Sequence, residues 1–334
     1  MVEMEIVYAN AALIDVGAIE DADADFEVGD ENNFELAFLL ETWDKTVQDG
    51  GYIYVAGSEY GGKVGEFELD ESNDVIYVRG YTWRGLLEHK IISPASGEDY
   101  CTASGELNEI IKAVLEEFCP GGLFVAAESS TGVSIEEYQF ERYCTVNAGL
   151  TAMLEEQGYR LNLSYVPRAS GGYVEVSAVQ AKEYGDDWEL SQDVSPMEIN
   201  SVQYYRGINH LICLGSGELA EREIVHLYVQ KDGSIGTTQY YTGNDEIVDV
   251  YDYSNAADAE ELQNGGIERL KENMNYSEFS ASVTNYDADD IMLGDTVTGV
   301  DYMTDTSISQ PVVRKICKRK DGVISIEYKL KGEA

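Results

Sequence analysis

The sequence predicts an α+β protein that is mostly β, in which two β-rich parts flank an α+β part. Short runs rich in Val, Ile, Tyr and Phe fill the first 95 residues and return after residue 197. Polar turn signals such as VGDENN and QDGG separate these runs, as is typical of short antiparallel strands. The stretch between the two β-rich parts contains two segments with helical periodicity.

The first part, residues 1–95, has the pattern of an antiparallel barrel or sandwich. Its predicted strands are MEIVYAN, ALIDV, DADFEV, FELAFLLE, GYIYVAG, KVGEFELD and DVIYVRG. In the third of these, acidic and apolar residues alternate from Asp21 to Val28. A period of two places Asp21, Asp23, Asp25 and Glu27 on one face of the strand and the apolar residues on the other.

The α+β part covers residues 96–196. Ser104 is the predicted N-cap of an amphipathic helix that Cys119-Pro120 ends, because its apolar residues recur at helical spacing. A second helix is predicted from Thr145 to Gln157, and the segments RLNLSYV and GYVEVSAV predict a hairpin.

The last part, residues 197–334, returns to strands such as HLICLG and IVHLYVQ. One helix is predicted near residues 257–274, with the stripe Leu262, Gly266, Leu270 and Met274. A glycine within such a stripe indicates close approach to a neighbouring backbone.

The chain is strongly acidic, with 63 Asp and Glu against 22 Lys and Arg and a formal charge of −41. This charge excludes nucleic-acid binding through displaced counterions and disfavours anionic lipid surfaces. The acidic N-terminal segment lacks the pattern of a signal peptide, and no apolar run is long enough for a membrane helix. Five scattered cysteines without a CxxC motif predict reduced thiols in a protein made in the cytosol.

The charge is unevenly distributed. Residues 1–50 contain 14 acids and one base, whereas residues 311–334 contain seven bases and three acids. Within this basic end, Arg314, Lys315 and Lys318 are candidates for a head-to-tail contact with an acidic face of another copy. The alternative is a solvated edge strand that carries Lys to deter aggregation.

No motif predicts catalysis, a cofactor or a metal. The three histidines, His89, His210 and His226, have no metal-ligand spacing, and a structural role is the expectation for each. The chain also lacks the GxSxG pattern of a serine nucleophile and the GK[ST] of a phosphate loop. We therefore expect a protein that is not an enzyme.

A calcium-binding EF-hand is excluded at the acidic strand. The acids at positions 21, 23 and 25 match its first spacings, but Phe26 stands where Gly is required and Asn32 where Glu is required. A looser cation site and a solvated strand face remain as alternatives there.

Four segments carry a resemblance to a known family. They are DVIYVRGYTWRGLLEHKIISP (74–94), SGELNEIIKAVLEEF, GNDEIVDVYDYSNAADAEEL (243–262) and the final DIMLGDTVTGVDYMTDTSISQPVVRKICKRKDGVISIEYKL (290–330). In these segments the sequence resembles the Gp37-like tail proteins of siphophages. Those proteins are related to the baseplate-hub, or tail-associated, proteins of tailed phages and contractile injection systems.

The resemblance implies a homotrimer whose subunits each supply two β-barrel-like tube domains. Residues 1–95 would form the first tube domain, completed by a strand near 199–215, and residues 197–334 would form the second. Six such units would surround a channel that joins the sixfold tail tube to threefold tip structures. Asp21, Asp23, Asp25 and Glu27 are then candidates for the channel lining, with an outer face as the alternative.

The resemblance also implies partners and a location. The expected neighbours are a distal tail protein or tail-tube protein, the tape-measure protein, and spike, fibre or other tail-tip proteins. Phage DNA would pass through without specific binding, and the protein would act at the virion tail tip after synthesis in the host bacterial cytoplasm, with no membrane insertion.

Two other functions remain open. Abundant Tyr, Trp and acids fit a carbohydrate-binding or cell-wall-degrading tail-tip β protein. The acidity also fits a protein from a halophile, although 12 of the 22 bases are Lys, which halophilic proteins usually replace.

Overall fold

The computed structural model describes residues 4–184, 189–191, 197–284 and 291–332. Within these ranges the chain has 22 β-strands and four α-helices, which confirms the prediction of a mostly β protein with some helix. None of the helices in these ranges is long and apolar enough to cross a membrane.

All seven strands predicted for the first part are present, and a short helix follows them. They are β1 (Ile6–Ala9), β2 (Asp15–Ile19), β3 (Ala22–Val28), β4 (Asn33–Leu39), β5 (Tyr52–Tyr54), β6 (Gly61–Asp70) and β7 (Val75–Thr82), followed by α1 (Trp83–Glu88). Helix α1 begins at Trp83 because the Thr82 hydroxyl accepts a hydrogen bond from the Gly85 backbone N–H, as an N-cap does.

The middle stretch contains both predicted helices and the predicted hairpin. Its elements are β8 (Thr102–Glu106), α2 (Leu107–Phe118), β9 (Phe124–Ala126), β10 (Ser134–Gln139), α3 (Val146–Glu155), β11 (Tyr159–Val166) and β12 (Tyr173–Gln180). Strands β11 and β12 pair antiparallel, and β9 pairs parallel to β12.

The first of these helices begins later than predicted. Ser104 lies within β8, which pairs with β10, and the N-cap is Glu106. The Glu106 carboxylate accepts hydrogen bonds from the backbone N–H groups of Asn108 and Glu109, and it also accepts from Thr131. A carboxylate at this position also faces the positive end of the helix dipole, so it caps α2 better than the serine two residues earlier.

The remaining elements lie after residue 188. They are β13 (Glu189–Ser191), β14 (Met197–Tyr204), β15 (His210–Leu214), β16 (Ile224–Val229), β17 (Ile235–Gly236), β18 (Val248–Asp252), α4 (Ala259–Lys271), β19 (Tyr276–Thr284), β20 (Thr296–Asp301), β21 (Thr306–Lys320) and β22 (Val323–Leu330).

The chain divides into two compact units. Unit 1 comprises the described residues of Met1–Ile199 and Ser280–Leu330, and unit 2 those of Asn200–Phe279 and Lys331–Ala334. The chain leaves unit 1 within β14 and returns to it within β19. The division into domains at residues 95 and 196 stays a prediction.

The main sheet of unit 1 joins the two ends of the chain. Its neighbours run β19-β22-β21-β3-β4-β7-β6-β5-β1-β2. Strand β3 therefore takes its outer neighbour from β21. The completion of the first tube domain by a strand near 199–215 stays a prediction. Among the described strands the sheet does not close into a barrel, because β2 lies at one end and pairs with β1 alone.

The core of unit 1 is continuous from the N-terminal strands to the middle stretch. Trp83 of α1 is fully buried and stacks on Tyr165 of β11, with ring centroids 5.4 Å apart and planes at 10°. Tyr54 of β5 stacks on the same Tyr165 ring at 4.0 Å. Helices α2 and α3 bury their apolar faces in this same cluster.

All five cysteines are free thiols, as expected from their spacing. Cys119, Cys213 and Cys317 are buried, and burial raises the pKa of Cys119 and of Cys213 to about 11. Since the thiolate is the reactive form, these side chains act as apolar packing groups.

Unit 2 is a four-stranded sheet with one helix packed on it. The strand order is β17-β16-β15-β18, with β15 antiparallel to β16 and parallel to β18. Helix α4 begins at the N-cap Asp258 and buries the predicted stripe against Cys213 and Leu227 of the sheet. The close approach predicted at Gly266 exists, but it is to these side chains rather than to backbone.

Gly266→Ala should lower the free energy of unfolding of unit 2 by about 1–2 kcal/mol, since overpacking outweighs the better helix propensity of Ala. An added Cβ would lie 2.4 Å from Cys213 Sγ and 2.8 Å from Leu227 Cδ1. Hydrogen exchange of the α4 amides measures this change.

Gly265→Ala is the matched control. It lies on the same helix, and its added Cβ meets no atom closer than 3.3 Å, so α4 should exchange at the wild-type rate or more slowly. Adding Cys213→Ala to Gly266→Ala should recover part of the loss. Equal exchange in the two glycine variants would contradict the packing argument.

Candidate interaction surface

The two sets of site residues predicted from sequence lie side by side in one chain. Strand β3 carries the acids and β21 carries the bases, and the two strands pair antiparallel with Asp25 opposite Lys318 and Glu27 opposite Ile316. We call the solvent side of β22, β21, β3, β4, β7 and β6 the charged face.

The alternation along β3 has the predicted effect. Ala22, Ala24, Phe26 and Val28 are buried on one side of the strand, while Asp23 and Asp25 are half-buried on the other. Glu27 lies on the acidic side too, yet it is only 8% exposed. The partner of Glu27 explains this burial.

Glu27 is bound by the guanidinium of Arg314. Arg314 Nε donates to Glu27 Oε1 at 2.7 Å, and a terminal guanidinium nitrogen donates to Glu27 Oε2 at 3.0 Å. Two parallel charge-assisted hydrogen bonds form the strongest common geometry for this pair. Burial acts to raise the pKa of Glu27, but the hydrogen bonds from Arg314 and from the Glu31 backbone N–H lower it below the ordinary value.

Glu27→Gln should therefore reduce the stability of unit 1 by about 1–2 kcal/mol at pH 7, because charge-assisted hydrogen bonds are lost. The folded-state pKa of Glu27 is lowered, so the stability it supplies is present above the ordinary carboxylate pKa and disappears as pH falls through the folded value. Denaturant titrations at pH 7 and near pH 3 measure this, and the variant and wild type should converge at the lower pH.

Asp25→Asn is the control on the same strand. Burial raises the pKa of Asp25, and Lys318 offsets this only in part, so folding disfavours the charged form of Asp25. Its neutral replacement should cost no stability at pH 7. An equal loss in both variants would mean that charge on this face, rather than the Arg314 pairing, is responsible.

The other acids differ in their surroundings. Asp25 Oδ2 lies 3.5 Å from Lys318 Nζ, and Asp23 Oδ1 accepts a hydrogen bond from the Asp321 backbone N–H at 3.0 Å. Asp21 is exposed just before β3. Of the candidate channel acids, Asp21 and Asp23 are therefore the most open to solvent-borne partners.

Lys315 does not reach the surface, which corrects its assignment as a subunit contact. Its side chain is 0% exposed, its Nζ donates to the Ile291 carbonyl at 2.9 Å, and the ammonium faces the rings of Tyr60 and Tyr328. The alternation of β21 turns Lys315 inward, whereas Arg314, which follows a bulge in the pairing with β22, faces outward. Arg314 and Lys318 remain candidates for a contact between copies.

Ion pairs continue across the charged face. The paired register puts Lys318, Asp25, Glu35, Arg79 and Glu66 in one row over five neighbouring strands. Arg79 binds Glu35 at 2.5 Å and Glu66 at 2.9 Å. The row contains two bases and three acids, so its bases offset most of the negative charge around Asp25 and leave a net charge of −1 in the row.

An exposed apolar patch on the opposite side of the sheet from this row was missed by sequence reasoning. On β6, Phe67 and Leu69 pair with buried Val78 and Ile76 of β7, yet they are 42% and 52% exposed. Their alternation with acids was visible in KVGEFELD. A strand pattern shows which residues share a face, but not whether another element covers that face.

A histidine pair in unit 2 was also missed. His210 Nε2 lies 2.8 Å from His226 Nδ1, although the residues are 16 apart in sequence. The signal was the hairpin itself, because pairing HLICL with IVHLYV sets Ile212 opposite His226 and His210 opposite Tyr228. The third histidine, His89, packs edge-on against the ring of Tyr81, with ring centroids 4.3 Å apart.

Comparison with known proteins gives matches in structure alone. No protein-family model matches the chain, and no curated protein matches its sequence. The 43 kDa tail protein of prophage MuSo2 from Shewanella oneidensis is similar with a TM-score of 0.54 and 14% identity, over 98% of both chains. A tail protein from Neisseria meningitidis is similar with a TM-score of 0.51 and 13% identity, over 98% of this chain and 96% of that one.

These likenesses extend over nearly the whole chain, so they include both units. At this level of identity they concern the fold. They do not separate the Gp37-like siphophage proteins from other tail proteins, and that narrower resemblance stays a prediction. The chain has the fold of these two prophage and bacterial tail proteins.

Proposed function

We propose that this chain is a structural protein of a phage tail baseplate, a hub at the distal end of the tail. The supporting observation is the likeness in fold to two tail proteins over 98% of this chain. A role in assembly depends on surfaces between proteins and needs no catalytic residue, in agreement with the absence of a catalytic motif in the sequence.

In the proposed assembly three copies form a ring that joins the sixfold tail tube to threefold tip structures. Each copy supplies two related tube domains. The open sheet of unit 1 supports this proposal, since β2 ends the sheet with one edge unpaired among the described strands. Edge strands invite pairing with another chain, and a ring of copies removes them.

The ring encloses a channel through which DNA passes without adhering. The charge of −41 supports this, since like charges repel a duplex over about 8–10 Å at physiological salt. The candidate lining acids are Asp21, Asp23, Asp25 and Glu27. Asp25 pairs with Lys318 and Glu27 pairs with Arg314, so Asp21 and Asp23 are the better candidates for repelling DNA.

The proposed neighbours are the distal tail or tail-tube protein, the tape-measure protein, and spike, fibre or other tail-tip proteins. The candidate contacts on this chain are Arg314 and Lys318 on the charged face and the apolar pair Phe67 and Leu69. The proposed location is the virion tail tip.

The mass in solution and the position in the particle test this function. Light scattering should give three times the chain mass of 37.0 kDa, with the chain alone or co-expressed with its tail neighbours. Antibody labelling of intact particles should mark the distal end of the tail. Label elsewhere on the particle would refute the proposal.

Variants locate the contacts. The pair Phe67→Asp and Leu69→Asp should prevent trimer formation, because it introduces charge into an apolar contact. Tyr143→Asp is the control, since Tyr143 is also 59% exposed and lies outside the proposed contacts. Trimers that survive the first pair of changes would exclude this patch from the interface.

A further inference from the structure

One side of the unit 2 sheet is covered by a helix and the other side is open. Helix α4 packs on the side that carries Cys213 and Leu227. Because successive side chains of a strand point to opposite faces, Ile212 of β15 lies on the other side. Strand pairing places His226 of β16 and Val250 of β18 on either side of Ile212. We call this side of β16, β15 and β18 the open face.

The open face is apolar and exposed. Ile224 is 51% exposed, Val248 46% and Val250 53%, while Ile212 and Leu214 are half-buried between them. Strand β18 pairs with β15 alone among the described strands, so the open face ends at an unpaired edge. Parallel strands such as β15 and β18 are normally covered on both faces, and contiguous exposed apolar side chains mark interaction sites.

A row of hydrogen-bonded side chains determines the polar chemistry of the open face. Glu246 Oε1 lies 2.7 Å from His210 Nδ1, and His210 Nε2 lies 2.8 Å from His226 Nδ1. A carboxylate accepts hydrogen bonds, so the neutral ring of His210 donates from Nδ1 and accepts at Nε2. His226 therefore donates from Nδ1. Because the His226 ring is exposed, its neutral form offers Nε2 as an acceptor to an ammonium, guanidinium or hydroxyl group of a partner.

The charge of unit 2 restricts what can cover the open face. Residues 200–279 contain 14 acids and only five bases. Three of these bases are already bound to acids of the same unit, in the pairs Arg222–Asp252, Arg269–Glu272 and Lys271–Glu268. Two copies of this acidic unit would repel each other, whereas a partner that carries basic side chains would be attracted.

The basic strand of a second copy does not supply that partner. Its Arg314 and Lys318 are bound to Glu27 and Asp25 of their own chain. We propose that the open face docks a different tail protein, whose contact surface is apolar at its centre and carries Lys or Arg at its rim. One donor of this protein binds Nε2 of His226. The inference rests on the proposed function, because the partner belongs to the same tail.

Histidine modification with diethyl pyrocarbonate tests whether the open face is covered in the particle. His226 should react in the isolated chain and react at least about 5-fold more slowly in intact particles, because the centre of an interface excludes water. Equal reactivity, in particles that antibody labelling shows to carry the chain at the tail tip, would overturn this inference and leave the hub function intact. Absence of the chain from the tail would refute both.

Val248→Asp combined with Val250→Asp identifies the occupant. Both residues are exposed, so the variant should keep the circular dichroism and the solution mass of the wild type. The distal tail protein, the tape-measure protein and a tail-tip protein are each titrated into the full chain by calorimetry. The one that binds should bind the double variant at least about 10-fold more weakly, because charge is introduced into an apolar contact.

Leu219→Asp is the matched control. It makes the same kind of change in unit 2 at a residue that is 93% exposed and lies outside the open face, so it should bind as the wild type does. Equal binding by the double variant and the wild type, or no binding of the three proteins to the wild type, would overturn the proposal. A lower solution mass of the double variant alone would also overturn it, because a second copy would then be the occupant.

Discussion

Asp295→Asn is expected to lower the free energy of unfolding of unit 1 by about 3–5 kcal/mol, the cost of breaking a buried ion pair. Asp295 is 0% exposed. Its Oδ1 accepts from Arg160 Nε at 3.0 Å and from the Lys182 backbone N–H at 2.9 Å, and its Oδ2 accepts from the Met292 backbone N–H at 3.0 Å. The amide removes the charge that balances Arg160 and turns one acceptor into a donor that faces other donors.

Tryptophan fluorescence in a denaturant titration measures this loss, because Trp43 and Trp83 lie in unit 1. Asp321→Asn is the control. It makes the same chemical change at an exposed turn residue, where surface substitutions usually change stability by less than about 0.5 kcal/mol. A similar small shift for Asp295→Asn would mean that water replaces the carboxylate contacts.

The surroundings of Asp295 show which features could be predicted from the sequence and which could not. The Gly294-Asp295 pair is a turn signal in the sequence, and Gly294 adopts a left-handed φ of +88°. An added Cβ there would lie 2.9 Å from Arg160 Cβ. The sequence predicts the local turn, but the Asp295 side chain binds Arg160, which lies on a strand 135 residues away in the sequence.

Pairing between distant strands is the part of the fold that could not be predicted. Strand periodicity and turn residues located the first seven strands, because these signals are local. The pairing of β3 with β21 joins residues almost 300 apart, and only their opposite charges hinted at it. Those charges were interpreted as a contact between copies, whereas Arg314 meets Glu27 within one chain.

The sequence analysis also did not identify which side chains of the basic run on β21 face the core. Successive side chains of a strand alternate between its faces, so Arg314, Lys315 and Lys318 could not all point outward on one regular strand. Lys315 is the buried member. Charged residues are almost always predicted at the surface, so Lys315 was not expected in the core. The alternation of a strand nevertheless places Lys315 and Lys318 on opposite faces.

Trp83→Ala should cost unit 1 about 3–5 kcal/mol, the usual loss for a large buried aromatic side chain. Trp83 is fully buried between Tyr52 and Tyr165. Trp83→Phe should cost less than half as much, because the indole Nε1 makes no hydrogen bond within the described residues and most ring packing is kept. Circular dichroism during denaturation compares the variants, and equal losses would contradict the packing argument.

This substitution also tests the boundary predicted at residue 95. Trp83 and Tyr54 come from the first predicted part, while Tyr165 and helices α2 and α3 come from the second, and all share one core cluster. If that core makes a single cooperative unit, Trp83→Ala should speed hydrogen exchange in β5 and in α2 by the same factor. Faster exchange in β5 with unchanged exchange in α2 would show that residues 96–196 hold their structure independently. The boundary predicted at residue 95 would then separate two folding units that share a continuous core.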